Sequence, residues 1–241
     1  MIILSIDSST PVAGIAVSDD NKLLGEVMIN TKNTHSEKLM PMVARLLDDL
    51  QMNIQQVEAV AVTCGPGSFT GLRIGMATAK GIVQGGGKKL IAIPTLDCLA
   101  QNLLHYSGII CPVMNAQKKQ VYTAIYRSGE AHLERMSDYQ AIEAEKLAGQ
   151  LLELNEPVWF VGDGVEAFAD VFASVLGDKC RLADGNTVLP RAGALAMLAA
   201  ERAAQNQFDD LYQAELIYIR KSEAEVQWEA RNHTANAQSA V

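Results

Sequence analysis

Read from the amino terminus, apolar periodicity and turn-forming residues give one order of elements twice, and few folds accept that order. Ile2 to Ile6 and Val12 to Val17 are apolar runs of strand length, and Asp19-Asp20-Asn21-Lys22 turns the chain into a third strand, Leu23 to Ile29. Thr34 and Glu37 have the spacing of a capping box, in which each side chain satisfies an amide left free at a helix start. Behind them Leu39, Met42, Val43, Leu46, Leu47 and Leu50 recur at helical spacing. Pro41 removes one hydrogen bond from this helix, so a bend is expected. A β-rich run Ala59 to Thr63, a glycine loop and a helix from Thr70 to Val83 follow. A break at Gly85-Gly86-Gly87, a strand Leu90 to Ile93 and a helix Leu96 to Leu104 complete the series βββαβαβα.

From Ile109 the order restarts, with strands near Ile110 to Met114, Gln120 to Tyr126 and Ala131 to Met136. A helix over Ala141 to Leu152, a strand Val158 to Val161, a helix Glu166 to Leu176, a short strand near Arg181 and a helix Ala192 to Ala204 follow. The repeat is one of element order and not of residue identity. Two βββαβαβα halves are the layout of the actin, hexokinase and Hsp70 class. The predicted fold is therefore α/β of the actin-like (ASKHA) ATPase type, with lobes at 1–106 and 107–215. Residues 216–241 form a terminal segment that turns polar after Ser222, and a disordered tail is expected there.

With 241 residues, 49% of them hydrophobic, the chain can bury the cores of two modest lobes. No apolar run approaches the ~20 residues of a membrane helix, and Ile2 to Ile6 stops at Asp7 without a basic leader. A cytoplasmic protein that does not touch the membrane is expected. Cys64, Cys98, Cys111 and Cys180 lie far apart with no CxxC pair, so they read as buried thiols and not as a zinc or redox site. A net charge of −8 opposes a phosphate backbone, which predicts that any nucleic acid is reached through another protein.

The densest local motif is the run from Gly65 to Gly75, Gly-Pro-Gly-Ser-Phe-Thr-Gly-Leu-Arg-Ile-Gly, between a strand and a helix. Glycines let a ligand approach the backbone and a helix start presents free amides, so Gly65 and Gly67 are candidate anion-binding positions. The specific nucleotide patterns fail, however. Thr70 stands where a dinucleotide fingerprint needs glycine, and Gly86-Gly87-Lys88-Lys89 lacks the hydroxyl residue of a Walker sequence. Pro66 excludes a nucleophile elbow at Ser68. A tight turn with close helix packing is the preferred reading of the run over a phosphate site. Asp7 ends the first strand where actin-like ATPases place a carboxylate that orients metal and water, although a turn former also suits that position. His35, His105, His132 and His233 include no i, i+4 pair, and no nucleophile–base arrangement stands out.

Ile6-Asp7-Ser8-Ser9-Thr10, His35-Ser36-Glu37-Lys38-Leu39-Met40-Pro41, the Gly65 to Gly75 run and Tyr218-Ile219-Arg220 together resemble the successive signatures of the TsaB (YeaZ) family, over residues 1 to 220. The resemblance implies a non-catalytic scaffold for threonylcarbamoyladenosine (t6A) formation in tRNA. The chemistry would lie in a TsaD-type subunit, which carries an HxxxH metal motif and modifies the adenosine next to the anticodon in tRNAs reading codons that begin with adenine. Thr95-Leu96-Asp97-Cys98-Leu99, the corresponding stretch here, contains no histidine. A TsaE-type ATPase would join the assembly, ATP and metal would belong to those partners, and the isolated chain could form a homodimer. Asn115-Ala116-Gln117 departs from the Asp-Ala-Arg that members often carry, which weakens a nucleotide role for the second lobe.

The resemblance also implies pairing through the two helices of the first lobe. On helical wheels this points to Leu39, Met42, Val43 and Leu46 of the first helix and to Gly71, Ile74, Gly75, Thr78 and Ile82 of the second, with Gly75 at the closest approach. The alternative from another class is an ATP-dependent small-molecule kinase of this fold. It would use Asp7, the glycine turn and Gly162-Asp163-Gly164 as the second phosphate turn.

Overall fold

The computed structural model describes residues 1–30, 35–129 and 132–220. The predicted cap Thr34, the start of the predicted strand at Ala131 and the polar tail lie outside the described residues.

The first sheet is built from β1 (Ile2–Asp7), β2 (Val12–Asp19), β3 (Lys22–Asn30), β4 (Ala59–Thr63) and β5 (Lys89–Ile93), in the order β3-β2-β1-β4-β5. The first three strands are joined by turns and pair antiparallel, whereas β1, β4 and β5 pair in parallel and need crossovers. α1 (His35–Asp49) and α2 (Phe69–Gly86) supply them. α1 continues through Pro41. α2 runs two residues further than the glycine triplet suggests: Gly85 and Gly86 are helical, and only Gly87 takes the left-handed conformation (φ 60°) that ends the helix.

The two faces of this sheet differ in side-chain size. Leu4, Ile6, Ile15, Val17, Val60 and Val62 fill one face and meet Leu39, Met42, Val43, Leu46 and Leu47 of α1 and Met76, Ala79 and Val83 of α2. The other face carries Ile3, Ala16, Ala59 and Ala61, and α6 (Ala192–Ala204) lies on it through Ala192, Ala196, Ala199, Ala200 and Ala203. Alanine against alanine allows close approach. α6, which sequence order assigned to the second lobe, thus covers the sheet of the first.

The second sheet repeats the first. β6 (Ile109–Asn115), β7 (Gln120–Thr123), β10 (Gln140–Glu143), β11 (Val158–Val161) and β12 (Cys180–Leu182) are ordered β10-β7-β6-β11-β12, so β10 takes the place that β3 holds. The predicted strand over 120–126 is split. β7 pairs with Val113 to Asn115, while β8 (Tyr126–Ser128) pairs with Ile109 and Ile110 and forms a hairpin with β9 (Leu133–Arg135). The predicted third strand is therefore this added hairpin. The true third strand, β10, occupies residues expected to start a helix, and α4 (Ala144–Glu153) begins after it. α4 and α5 (Gly164–Leu176) close the core, in which the Phe160 and Phe172 rings stack 4.0 Å apart.

α3 (Thr95–Gln101) joins the lobes. Leu96, Leu99 and Ala100 pack with Ile110, Met114 and Tyr126 of the second lobe. Asp97 accepts hydrogen bonds from the hydroxyls of Tyr126 (2.6 Å) and Tyr139 (2.8 Å). Burial pushes the Asp97 carboxyl upward, and the two phenols offset part of that shift.

Candidate functional site

The glycine run links β4 to α2, and the loop after β1 lies directly upon it. Ser68 caps α2 by accepting the Gly71 amide at 3.2 Å. The Ser68 amide donates to the Ser9 carbonyl at 2.7 Å, and the Ser8 hydroxyl donates to the Gly71 carbonyl at 2.8 Å. A Cβ on Gly67 would stand 2.3 Å from the Ser9 carbonyl oxygen, on Gly71 2.1 Å from the Ser8 carbonyl oxygen, and on Gly75 2.2 Å from Ser8 Oγ. These three glycines therefore admit the protein's own loop. Gly65 (φ +112°) serves another segment, since its Cβ would meet the Ile217 carbonyl oxygen at 2.6 Å. The packing reading of the run is the one the geometry favours over an anion cradle at Gly65 and Gly67.

Asp7 is sealed beneath that loop, with 1% of its surface exposed. Its Oδ1 accepts from the Ser9 amide (2.9 Å), the Ser9 hydroxyl (2.7 Å) and the Thr63 hydroxyl (3.0 Å), while Oδ2 is buried with no partner. Burial raises its pKa, and these three donors lower it in part. A carboxylate that orients metal and water at a phosphate must face the cleft. Asp7 faces inward, so it does not fit that role. His35, at the start of α1, donates from Nε2 to the Thr10 carbonyl at 2.8 Å and so pins the same loop from the other side.

Between the lobes lies a cleft of about 440 Å³. Ser9, Thr10 and Gly67 to Phe69 line it from the first lobe, and Asn115 to Gln117, Tyr122 and Asp163 from the second. Asn115 and Gln117 are turn formers here. The Asn115 carboxamide accepts the Gln117 amide at 2.9 Å, and residues 117 to 119 all take positive φ. The Gly162-Asp163-Gly164 turn is explained by packing, because a Cβ on Gly162 (φ +111°) would lie 2.4 Å from the Val113 carbonyl oxygen. Packing is thus a sufficient reason for these glycines, while Asp163 itself lines the cleft.

Tyr218-Ile219-Arg220 forms the remaining wall. Tyr218 packs on Phe69 with ring centroids 5.0 Å apart and receives a hydrogen bond from Arg73 Nε at 3.1 Å. Arg220 donates to the Ala116 carbonyl of the second lobe. Cys64 and Cys111 are buried, and burial pushes each thiol up to about 12. Cys98 is buried and shifted the same way, whereas Cys180, expected to be buried, is half-exposed. Among the described residues no three His, Cys, Asp or Glu side chains are grouped closely enough to hold a metal ion, and no helix is long and apolar enough to cross a membrane.

The nine residues expected at the partner surface are divided by the structure. Leu39, Met42, Val43 and Leu46 are buried between α1 and the sheet, and Gly71 and Gly75 face Ser8, so these six belong to the interior. Ile74, Thr78 and Ile82 are half-exposed. The helical wheel found the stripes but not which one turns inward. Beside those three residues, α2 exposes Ala77, Gly81 and Gly85, and α1 exposes Met40, which is 50% accessible. A Cβ on Gly81 or Gly85 would have no heavy atom within 4 Å. The spacing of four residues from Ala77 through Gly81 to Gly85 was the available signal.

Two sheets of one strand order with a cleft between their lobes define the actin-like ATPase class, here with the glycine run packed against the loop after β1. The family described as TsaD, tRNA N6-adenosine threonylcarbamoyltransferase, matches residues 22–228. The tRNA threonylcarbamoyladenosine biosynthesis protein TsaB of Bacillus subtilis is 33% identical over 95% of this chain and 98% of its own length. That of Escherichia coli is 27% identical over 93% and 96%. YeaZ from Pseudomonas aeruginosa superposes with a TM-score of 0.76 at 22% identity, over 90% of this chain and 99% of that one. The chain belongs to the TsaB (YeaZ) family of tRNA threonylcarbamoyladenosine biosynthesis proteins.

Proposed function

We propose that this chain is a non-catalytic subunit of the cytoplasmic t6A machinery, docking on a TsaD-type catalytic subunit through the outer face of α2. A TsaE-type ATPase joins the assembly, tRNA is met through the partners, and the chain brings no cofactor of its own. The inward orientation of Asp7 and the packing of Ser8 and Ser9 on the glycine run support the absence of ATP chemistry here. The net charge of −8 supports indirect contact with tRNA.

The observation that carries the docking face is the open space at Gly81 and Gly85. Glycine inside a helix costs about 0.5–1 kcal/mol relative to alanine. Nothing among the described residues demands it at these two positions, so a closely crossing neighbour would supply the reason. The test is calorimetric titration of the parent and of Ala77→Glu against the TsaD-type subunit. The charge sits on an exposed residue and should leave folding intact, while affinity falls by about tenfold or more. Equal affinity of the folded variant moves the interface elsewhere.

A further inference from the structure

Two-lobed proteins move about their connections unless something fixes them. Here the chain after α6 returns along the first lobe. Asp209 takes the Leu90 carbonyl with its amide, and its carboxylate accepts the Ala92 amide at 2.7 Å. Lys80 of α2 donates to the Ala214 carbonyl at 2.8 Å, and the Ile217 amide donates to the Cys64 carbonyl at 2.7 Å. Leu211, Leu216 and Ile217 pack on the first core. Up to Ile217, then, the segment belongs to the first lobe. Tyr218 is next, held by Phe69 and Arg73, and Arg220 then crosses to the Ala116 carbonyl of the second lobe.

We propose that residues 208–220 form a strap whose last link, Arg220 on Ala116, adds to the packing of α3 between the lobes and sets the width of the cleft mouth. The anchored part is held by partly buried side chains and by backbone pairing, and the crossing part by one guanidinium. The α3 contacts hold the lobes at their connection, so release of that guanidinium acts on the cleft mouth alone. Arg73 and Lys80, which hold the strap, flank Ala77 on α2. Occupation of that face therefore bears on the strap, and by reciprocity the strap bears on docking. This last linkage rests on the docking reading above. The strap itself does not, and its test uses the isolated chain.

The experiment is pulsed electron resonance on the full chain carrying Cys180→Ser, with spin labels on Asp48→Cys in α1 and Asp170→Cys in α5. The parent is expected to give one narrow distance distribution. Arg220→Ala should broaden it and shift it by about 2 Å or more, with an unchanged melting midpoint. Tyr218→Ala replaces Arg220→Ala under the same criterion if that variant does not fold. A folded variant with the parental distribution overturns the proposal.

Discussion

In the first half of α2, Gly71 and Gly75 press upon Ser8, so that an added Cβ would overlap a carbonyl or a hydroxyl; in the second half, Gly81 and Gly85 look into open space. The residue type and the spacing of four are the same. The first pair is required by the fold, which lays the β1–β2 loop directly on the start of α2. The second pair is not required by anything among the described residues. A glycine run in a sequence therefore says only that something comes close, and the structure must say whether that is the chain's own backbone or a neighbour.

The largest effect that separates the halves is expected at Gly71. Its Cβ would stand 2.1 Å from a backbone oxygen that cannot rotate away. Gly71→Ala should cost about 3 kcal/mol or more in denaturant unfolding, the upper range for overpacking. A loss within about 0.5 kcal/mol would show that the loop yields easily and that the seal is weak.

The next effect concerns the carboxylate under the seal. Burial raises the folded pKa of Asp7 above the 3.8 expected of an unfolded chain. The folded state then binds more protons, so this contribution is fully present below 3.8 and is lost as pH rises through the folded pKa. Relative to Asp7→Asn, the parent should gain stability as pH falls toward 4. Parallel stability curves for the two proteins would place the carboxylate in contact with water, and so at the cleft.

The smallest effect is expected at Gly81→Ala. With no clash and a better helix former, the isolated protein should gain about 0.5–1 kcal/mol, a rise of about 2–4 °C at most in melting midpoint. A loss of stability would mean that the open space is filled in solution.

The sequence was most legible where one periodicity rules. β1 to β5 and α1 follow from strand-length apolar runs and a single helical stripe, and the doubled element order led to the right fold. It was least legible where a short apolar run suits either state. Ala141 and Ile142 extend the pattern of α4 backward, yet they pair with β7 because that sheet lacks its third strand without them. Nor can order along the chain show which sheet a helix covers: α6 follows the second sheet and packs on the first, where alanines and serines leave room for it. Six of the nine residues expected at the partner surface lie inside for a related reason. A helical wheel gives α2 two apolar stripes, and only the position of Ser8, far away in sequence, decides that Gly71 and Gly75 face inward.

The contrast within α2 is tested most directly by Gly81→Leu, measured for melting midpoint alone and for affinity toward the TsaD-type subunit. The open space predicts a midpoint no lower than the parent's and an affinity reduced by about a hundredfold or more, a loss of about 2.7 kcal/mol. A variant that melts early would place Gly81 in the interior, and one that folds and binds like the parent would leave the outer face of α2 without a partner.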